Sequence, residues 1–259
     1  MSHEAKRNKQ MIIEFFGPSG VGKTTLTYAL SDALQASGHS VQLVVSSRPA
    51  ERRTDDHHRA AASARFSRVL APLSRAAKIV DALSTLQDAR SDETSIQLMK
   101  LLTPRSTFWT IRYKRYLTQL YRSWSEARSS SSIVIFDQAY LTALCALALL
   151  AKPADRAVLE HGLSLLPKPD LLVRLDAPRA LLELRLRERL QQQGMFERLF
   201  EFDLQTNLQQ IDVADEVTGL LHEQGRPMIH ISSVDTGSLQ AAIKAIMREA
   251  DMMAGGEVA

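Results

Sequence analysis

Gly17-Pro18-Ser19-Gly20-Val21-Gly22-Lys23-Thr24 spells Gly-x-x-x-x-Gly-Lys-Thr, and its flanks decide the fold. Upstream, Met11–Phe16 is an apolar run interrupted only by Glu14, which predicts a buried strand. Downstream, Leu26, Ala29, Leu30, Ala33 and Leu34 recur at helical spacing, and Gly38 supplies the stop. Strand, glycine-rich turn and helix, in that order, is the setting in which this pattern binds phosphate. Glycines at 17, 20 and 22 let backbone N–H groups face phosphate oxygens, and the helix N-terminus favours negative charge there. We therefore expect Gly17, Pro18, Ser19, Gly20, Val21, Gly22, Lys23, Thr24 and Thr25 to bind ATP. Lys23 would act catalytically on the β- and γ-phosphates, and the Thr24 hydroxyl would ligate Mg²⁺.

Working outward, Val41–Val45 reads as a second strand and Ile133–Phe136 as a third. Leu171–Leu175 gives a fourth and Pro227–Ile231 a fifth. Helical segments are expected over Lys23–Ser37, Tyr140–Leu150, Ala154–Leu165, Pro178–Gln193, Phe196–His222 and Gly237–Met253. Residues from about Asp55 to Ala127 look mostly helical, with breaks near Pro72, Asp92 and Pro104. Strands alternating with helices imply an α/β fold: a parallel sheet of about five strands with helices on both faces, the three-layer P-loop NTPase arrangement. No repeat or second core is evident, so residues 1–259 are expected to form one domain. Within the first strand, Glu14 is expected to be a paired structural carboxylate or to lie at a strand edge, with a catalytic role as the alternative. On Thr107–Ala127, Tyr113, Tyr116, Leu117, Leu120, Tyr121 and Trp124 fall at helical spacing and are expected to pack in the core.

The formal charge of +3 is too small to argue for a polyanionic partner. Basic residues outnumber acids between Arg48 and Lys78, but Phe66 is the only aromatic among them, so a nucleic-acid partner is not expected. Cys145 is the single cysteine and is read as a small buried residue. Met1–Gln10 lacks the apolar core of a signal peptide, and Leu141–Ala151 is too short to span a bilayer. A cytoplasmic protein with no membrane partner is expected, and a homodimer is compatible with the sequence.

A magnesium shell also needs a carboxylate at the end of a neighbouring strand. Ile133-Val134-Ile135-Phe136-Asp137 supplies one where a parallel strand opens onto the site. Asp137 is therefore the candidate metal-side or acceptor-side acid, with an acidic helix cap as the alternative. Thr24 and Asp137, completed by water, suit an octahedral, oxygen-seeking ion.

Taken together, these motifs resemble the thymidylate kinase and deoxynucleoside kinase group of P-loop kinases. In that group the third strand ends in an Asp-Arg-aromatic motif; here the run is Asp137-Gln138-Ala139-Tyr140-Leu141-Thr142. The group's fourth strand reads Pro-Asp, then Leu-Asp-x-Pro, matched by Pro169-Asp170 and Leu175-Asp176-Ala177-Pro178. Arg185 and Arg189 follow at positions the resemblance assigns to a catalytic lid over the phosphates, about residues 185–200. Four residues apart, they share a helix face that Arg187 does not. Arg112 and Arg115 stand near the group's acceptor-binding arginine, within a helical acceptor region of about 52–127. Arg48, Glu51, Arg112, Arg115, Gln138 and Thr142 are the candidate substrate-binding residues.

Two departures bear on the acceptor. Pro18-Ser19 replaces the acid that thymidylate kinases carry in the loop, and Gln138 replaces the arginine that grips the acceptor phosphate. Glutamine cannot supply the cationic fork of arginine. The segment Ser46-Ser47-Arg48-Pro49-Ala50-Glu51 matches the group's Arg-Glu-Pro-Gly only loosely. The resemblance thus implies an ATP-dependent phosphotransferase with a small-molecule acceptor other than the ordinary thymidylate. The alternative is a regulatory or assembly ATPase that switches a protein partner. A GTPase is disfavoured because no Asn-Lys-x-Asp run is present.

Overall fold

A computed structural model describes residues 10–45, 93–151, 155–192 and 202–255. Five strands form one parallel sheet: β1 (Met11–Phe16), β2 (Val41–Val44), β3 (Ile133–Phe136), β4 (Leu171–Asp176) and β5 (Ile229–Ser232). Each lies within two residues of its expected position, and the spatial order is β2-β3-β1-β4-β5. β1 is therefore central, flanked by β3 and β4, and its six residues are all buried. Central parallel strands are covered on both faces, so an uninterrupted apolar run is what this position requires. The edge strands β2 and β5 are shorter and only partly buried.

Eight helices occur among the described residues: α1 (Lys23–Ala36), α2 (Glu93–Leu101), α3 (Thr107–Ser129), α4 (Tyr140–Leu150), α5 (Arg156–Leu165), α6 (Arg179–Gln192), α7 (Leu204–Glu223) and α8 (Thr236–Gly255). Alternation along the strands divides the core in two. Ile13, Phe15, Ile135, Val173 and Leu175 meet Leu26 and Leu30 of α1, Leu182 and Leu186 of α6 and Ile246 of α8. On the other face Ile12, Phe16, Phe136 and Leu172 meet α2, α3, α4, α5 and the later half of α7. Every residue of α4 from Tyr140 to Ala148 is buried, as a helix apolar all round must be. None of the described helices is long and apolar enough to cross a membrane.

One expected helix starts later than its apolar pattern suggests. A continuous helix from Phe196 is replaced by α7 beginning at Leu204, with Phe202 and Asp203 outside it. Asp203 is the cause: its side chain accepts the Thr206 N–H at 2.7 Å and satisfies the helix start. Residues 55–92 of the expected helical region and residues 193–200 of the expected lid lie outside the described residues.

Two local constraints hold β1 in the sheet. The register Phe16↔Arg174 carries the chain into Gly17 directly against β4. An added Cβ at Gly17 would stand 2.3 Å from the Leu175 carbonyl oxygen, a backbone atom that cannot swing away, and φ there is +143°. The second constraint is Glu14. It lies in mid-sheet, not at an edge, and accepts the Leu141 N–H of the first turn of α4 at 2.8 Å. Burial pushes its carboxyl up to about 8; the Leu141 bond and the more distant Arg226 pull it back only in part.

Gly17→Ala should cost on the order of 2 kcal/mol through overpacking against Leu175 and backbone strain, read as a lowered thermal midpoint. For Glu14, the native state holds its proton to about pH 8 while the unfolded chain releases it near 4.5. Its contribution is thus complete below 4.5 and is lost as pH rises through 8. Denaturation curves should show stability falling across that window, and Glu14→Gln should flatten the fall. An unchanged pH profile would contradict the assignment.

Candidate functional site

The turn after β1 follows the expected strand–loop–helix path. Gly20 and Gly22 have φ of +80° and +95°, and Gly22 precedes α1 as a left-handed N-terminal residue. Alternation of such glycines with ordinary residues builds the concave backbone in which amides converge on an anion. Lys23, the first residue of α1, is buried, and its Nζ donates to the carbonyls of Gly17 at 2.8 Å and Pro18 at 2.9 Å. The loop therefore folds around its own ammonium group. Pro18 and Ser19 are buried, Val21 is anchored in the core beside α1 and α6, and Thr25 is exposed.

Asp137 stands at the end of β3, next to β1, and is fully buried. Its backbone N–H donates to the Val44 carbonyl at the end of β2, and its Oδ2 accepts the Thr24 hydroxyl at 3.3 Å. As neighbouring hard oxygen donors, Thr24 and Asp137 are the residues that would hold a magnesium ion, with water and phosphate oxygens as its other ligands.

Of the arginines on α6, Arg185 faces the loop: its Nη1 lies 3.4 Å from the carbonyls of both Gly20 and Ser233. Arg189, one turn on, is half-buried, whereas Arg187 is exposed and pairs with Glu183. Arg185 and Arg189 are thus both more covered than Arg187, and of the two Arg185 is the one placed at the loop. Leu186 lies under Gly20, where an added Cβ would meet its Cγ at 3.4 Å. Three further contributors carry no sequence signal near the motif. Ser233 follows β5 and would meet a Cβ on Gly22 at 3.3 Å. Gln210 of α7 accepts the Ser19 hydroxyl at 2.8 Å. Arg174 on β4 is 1% exposed, lies 5.3 Å from the Phe16 ring centre and pairs with Asp215 of α7. A fixed charge is thereby buried beside the strand that leads into the loop.

Beyond Asp137 the surroundings are aromatic. The Tyr116 hydroxyl reaches the Gln138 carbonyl at 3.5 Å, and Tyr116, Tyr113 and Trp109 follow one another along α3 with ring centres 6.0 and 6.2 Å apart. Trp109 also meets Phe202 at 5.1 Å, and the Arg112 guanidinium lies 5.0 Å over its ring. The expectation of a core stripe holds for Leu117, Leu120 and Trp124, which are buried, whereas Tyr113, Tyr116 and Tyr121 are only half-buried, the first two packed against the core's edge; Trp109, outside that stripe, is half-buried as well. Arg115 is exposed. Thr142 is buried in the first turn of α4, with no hydrogen-bond partner for its hydroxyl. Arg48 and Glu51 lie outside the described residues. Cys145 is buried in α4, and desolvation pushes its thiol up to about 12, so no thiolate forms there near neutrality.

No family model matches the chain, and no curated protein matches it. Among solved structures it is similar to deoxyadenosine kinase from M. mycoides with bound dATP, at a TM-score of 0.50 and 14% identity, over 93% of this chain and 99% of that one. Likeness at that identity speaks to architecture. With the parallel sheet, the helical layers and the loop geometry above, it establishes the three-layer P-loop NTPase fold.

Proposed function

We propose that this chain transfers the γ-phosphate of ATP to a small-molecule acceptor, in the manner of a nucleoside kinase. The observation that carries this is the placement of Asp137, which touches Thr24 of the phosphate loop on one side and leads through Gln138 to a half-covered aromatic wall on the other. A carboxylate shared between a phosphate site and a wall suited to a planar ligand is what phosphoryl transfer to a nucleoside-like hydroxyl needs. The uncharged Gln138 favours an acceptor without a phosphate over a nucleotide. The deoxyadenosine kinase of similar fold supports the same substrate class.

The residues divide the work simply. Backbone amides of Gly17–Thr24 and the Lys23 ammonium would hold the β- and γ-phosphates, Lys23 releasing the Gly17 and Pro18 carbonyls as it turns to them. Thr24 and Asp137 would hold magnesium, which offsets charge on the phosphate oxygens when bound. Arg185, already at the Gly20 carbonyl, is the cation nearest to the loop on α6, and Arg189 would add charge from the same face. Trp109, Tyr113 and Tyr116 would stack on the acceptor and set its hydroxyl in line with the γ-phosphate.

Incubation with γ-labelled ATP, magnesium and separate pools of nucleosides and nucleoside monophosphates should label a nucleoside product. If no pool takes up label while a protein partner accelerates ATP hydrolysis, the chain is a switch ATPase instead. Lys23→Ala should lower turnover on the order of 10²–10³-fold, as loss of one transition-state cation does; wild-type rates would refute the loop assignment. Asp137→Asn should lower turnover about 10²-fold with the thermal midpoint little changed, because the substitution is isosteric. An insoluble Asp137→Asn product with normal turnover in its folded fraction would make Asp137 structural.

A further inference from the structure

We propose that Gln210 is a positioning residue for the triphosphate site, acting through Ser19; this rests on the triphosphate-binding function proposed above. Ser19 occupies the part of the loop where thymidylate kinases carry an acceptor-facing acid. In this chain its hydroxyl is turned instead into the protein and donates to Gln210 Oε1 at 2.8 Å. Both side chains are buried, at 7% and 4% exposure, and 191 residues of chain separate them. The bond therefore exists only when α7 is docked against the loop.

α7 is fixed independently of that bond. Asp203 caps it, and Asn207 Nδ2 donates to the carbonyls of Phe202 at 2.8 Å and Asp203 at 3.0 Å. Ala214, Val217, Leu220 and Leu221 lie in the core, and Asp215 pairs with the buried Arg174. A helix held at so many points offers Ser19 an acceptor in one place. The loop, by contrast, has glycines at 17, 20 and 22 and needs side chains to fix its path. Val21 supplies an apolar anchor for the second half of the turn. In the first half, where Lys23 already holds the carbonyls of Gly17 and Pro18, Ser19 adds a side-chain anchor to the surrounding fold immediately before the left-handed Gly20. Releasing it frees the amides around residues 19 and 20 to leave the orientation a phosphate requires.

The test separates positioning from ordinary burial of a hydrogen bond. Ser19→Ala and Gln210→Leu each strand one buried polar group; the double variant strands none. Affinity for a fluorescent non-hydrolysable ATP analogue with magnesium would be followed by anisotropy, and the thermal midpoint by calorimetry without nucleotide. Each single variant should bind the analogue about three- to tenfold more weakly, the range one buried hydrogen bond supplies. In the double variant the midpoint should return towards wild type while affinity stays as low as in the weaker single. Should Gln210→Leu alone not fold, Ser19→Ala and the double variant carry the same expectation. Asp212→Ala, on the same helix as Gln210, removes an exposed pair with Arg179 of α6 and should bind as wild type. Wild-type affinity in Gln210→Leu or in the double variant overturns the proposal, as do losses that add. Failure of the wild-type chain itself to bind the analogue overturns the triphosphate function on which it rests.

Discussion

The architecture depends on one close approach of backbone to backbone. Where β1 ends, the chain passes so near the Leu175 carbonyl of β4 that no side chain fits between them. That contact sends the chain sharply away from the sheet at Gly17, and the turn that follows brings Lys23 back under its own carbonyls within six residues. Burial of β1 between β3 and β4 keeps the turn from relaxing outward. The phosphate loop is thus the continuation of a strand with nowhere else to go.

The rest of the site is assembled around that fixed turn by elements distant in sequence. β3 delivers Asp137 because its register with β1 places the strand end beside the loop. α6 delivers Arg185, α7 delivers Gln210, and the chain beyond β5 delivers Ser233. Sites carried on packed helices and strands hold their groups more closely than sites carried on loops. Glu14 extends the same principle to the first turn of α4: a carboxyl group in the central strand takes up the Leu141 N–H at the start of the largely buried helix that follows Asp137.

The fold and the strand–turn–helix geometry of the loop were legible in the sequence because both rest on local pattern. An apolar run ending at Gly17 and helical spacing after Lys23 leave little choice of conformation, and the strand ending at Asp137 follows from four consecutive buried residues. Strand order was not legible, since pairing β1 with both β3 and β4 is a property of the assembled sheet. Nor were Gln210 and Arg174, because a glutamine on a long helix and an arginine inside a strand have no periodicity that marks them. The α3 stripe shows where spacing misleads. Tyr116 and Leu120 share a helix face, yet Leu120 is buried and Tyr116 only partly so, and periodicity reports the face and not the depth.

That difference along α3 has a mechanical side. The helix runs 23 residues, roughly 35 Å at the usual rise, without an internal proline or glycine. Its later half, from Leu117 to Ala127, is buried at every turn, while Tyr113 and Tyr116 in the earlier half are half-buried against the same core and Trp109 meets Phe202. A continuous rod fixes spacing: fifteen residues separate Trp109 from Trp124, about 22 Å at the usual rise. Trp124 is seated on Phe136, the residue before Asp137, so one helix ties the outer aromatic side chains to the strand end that carries the acid.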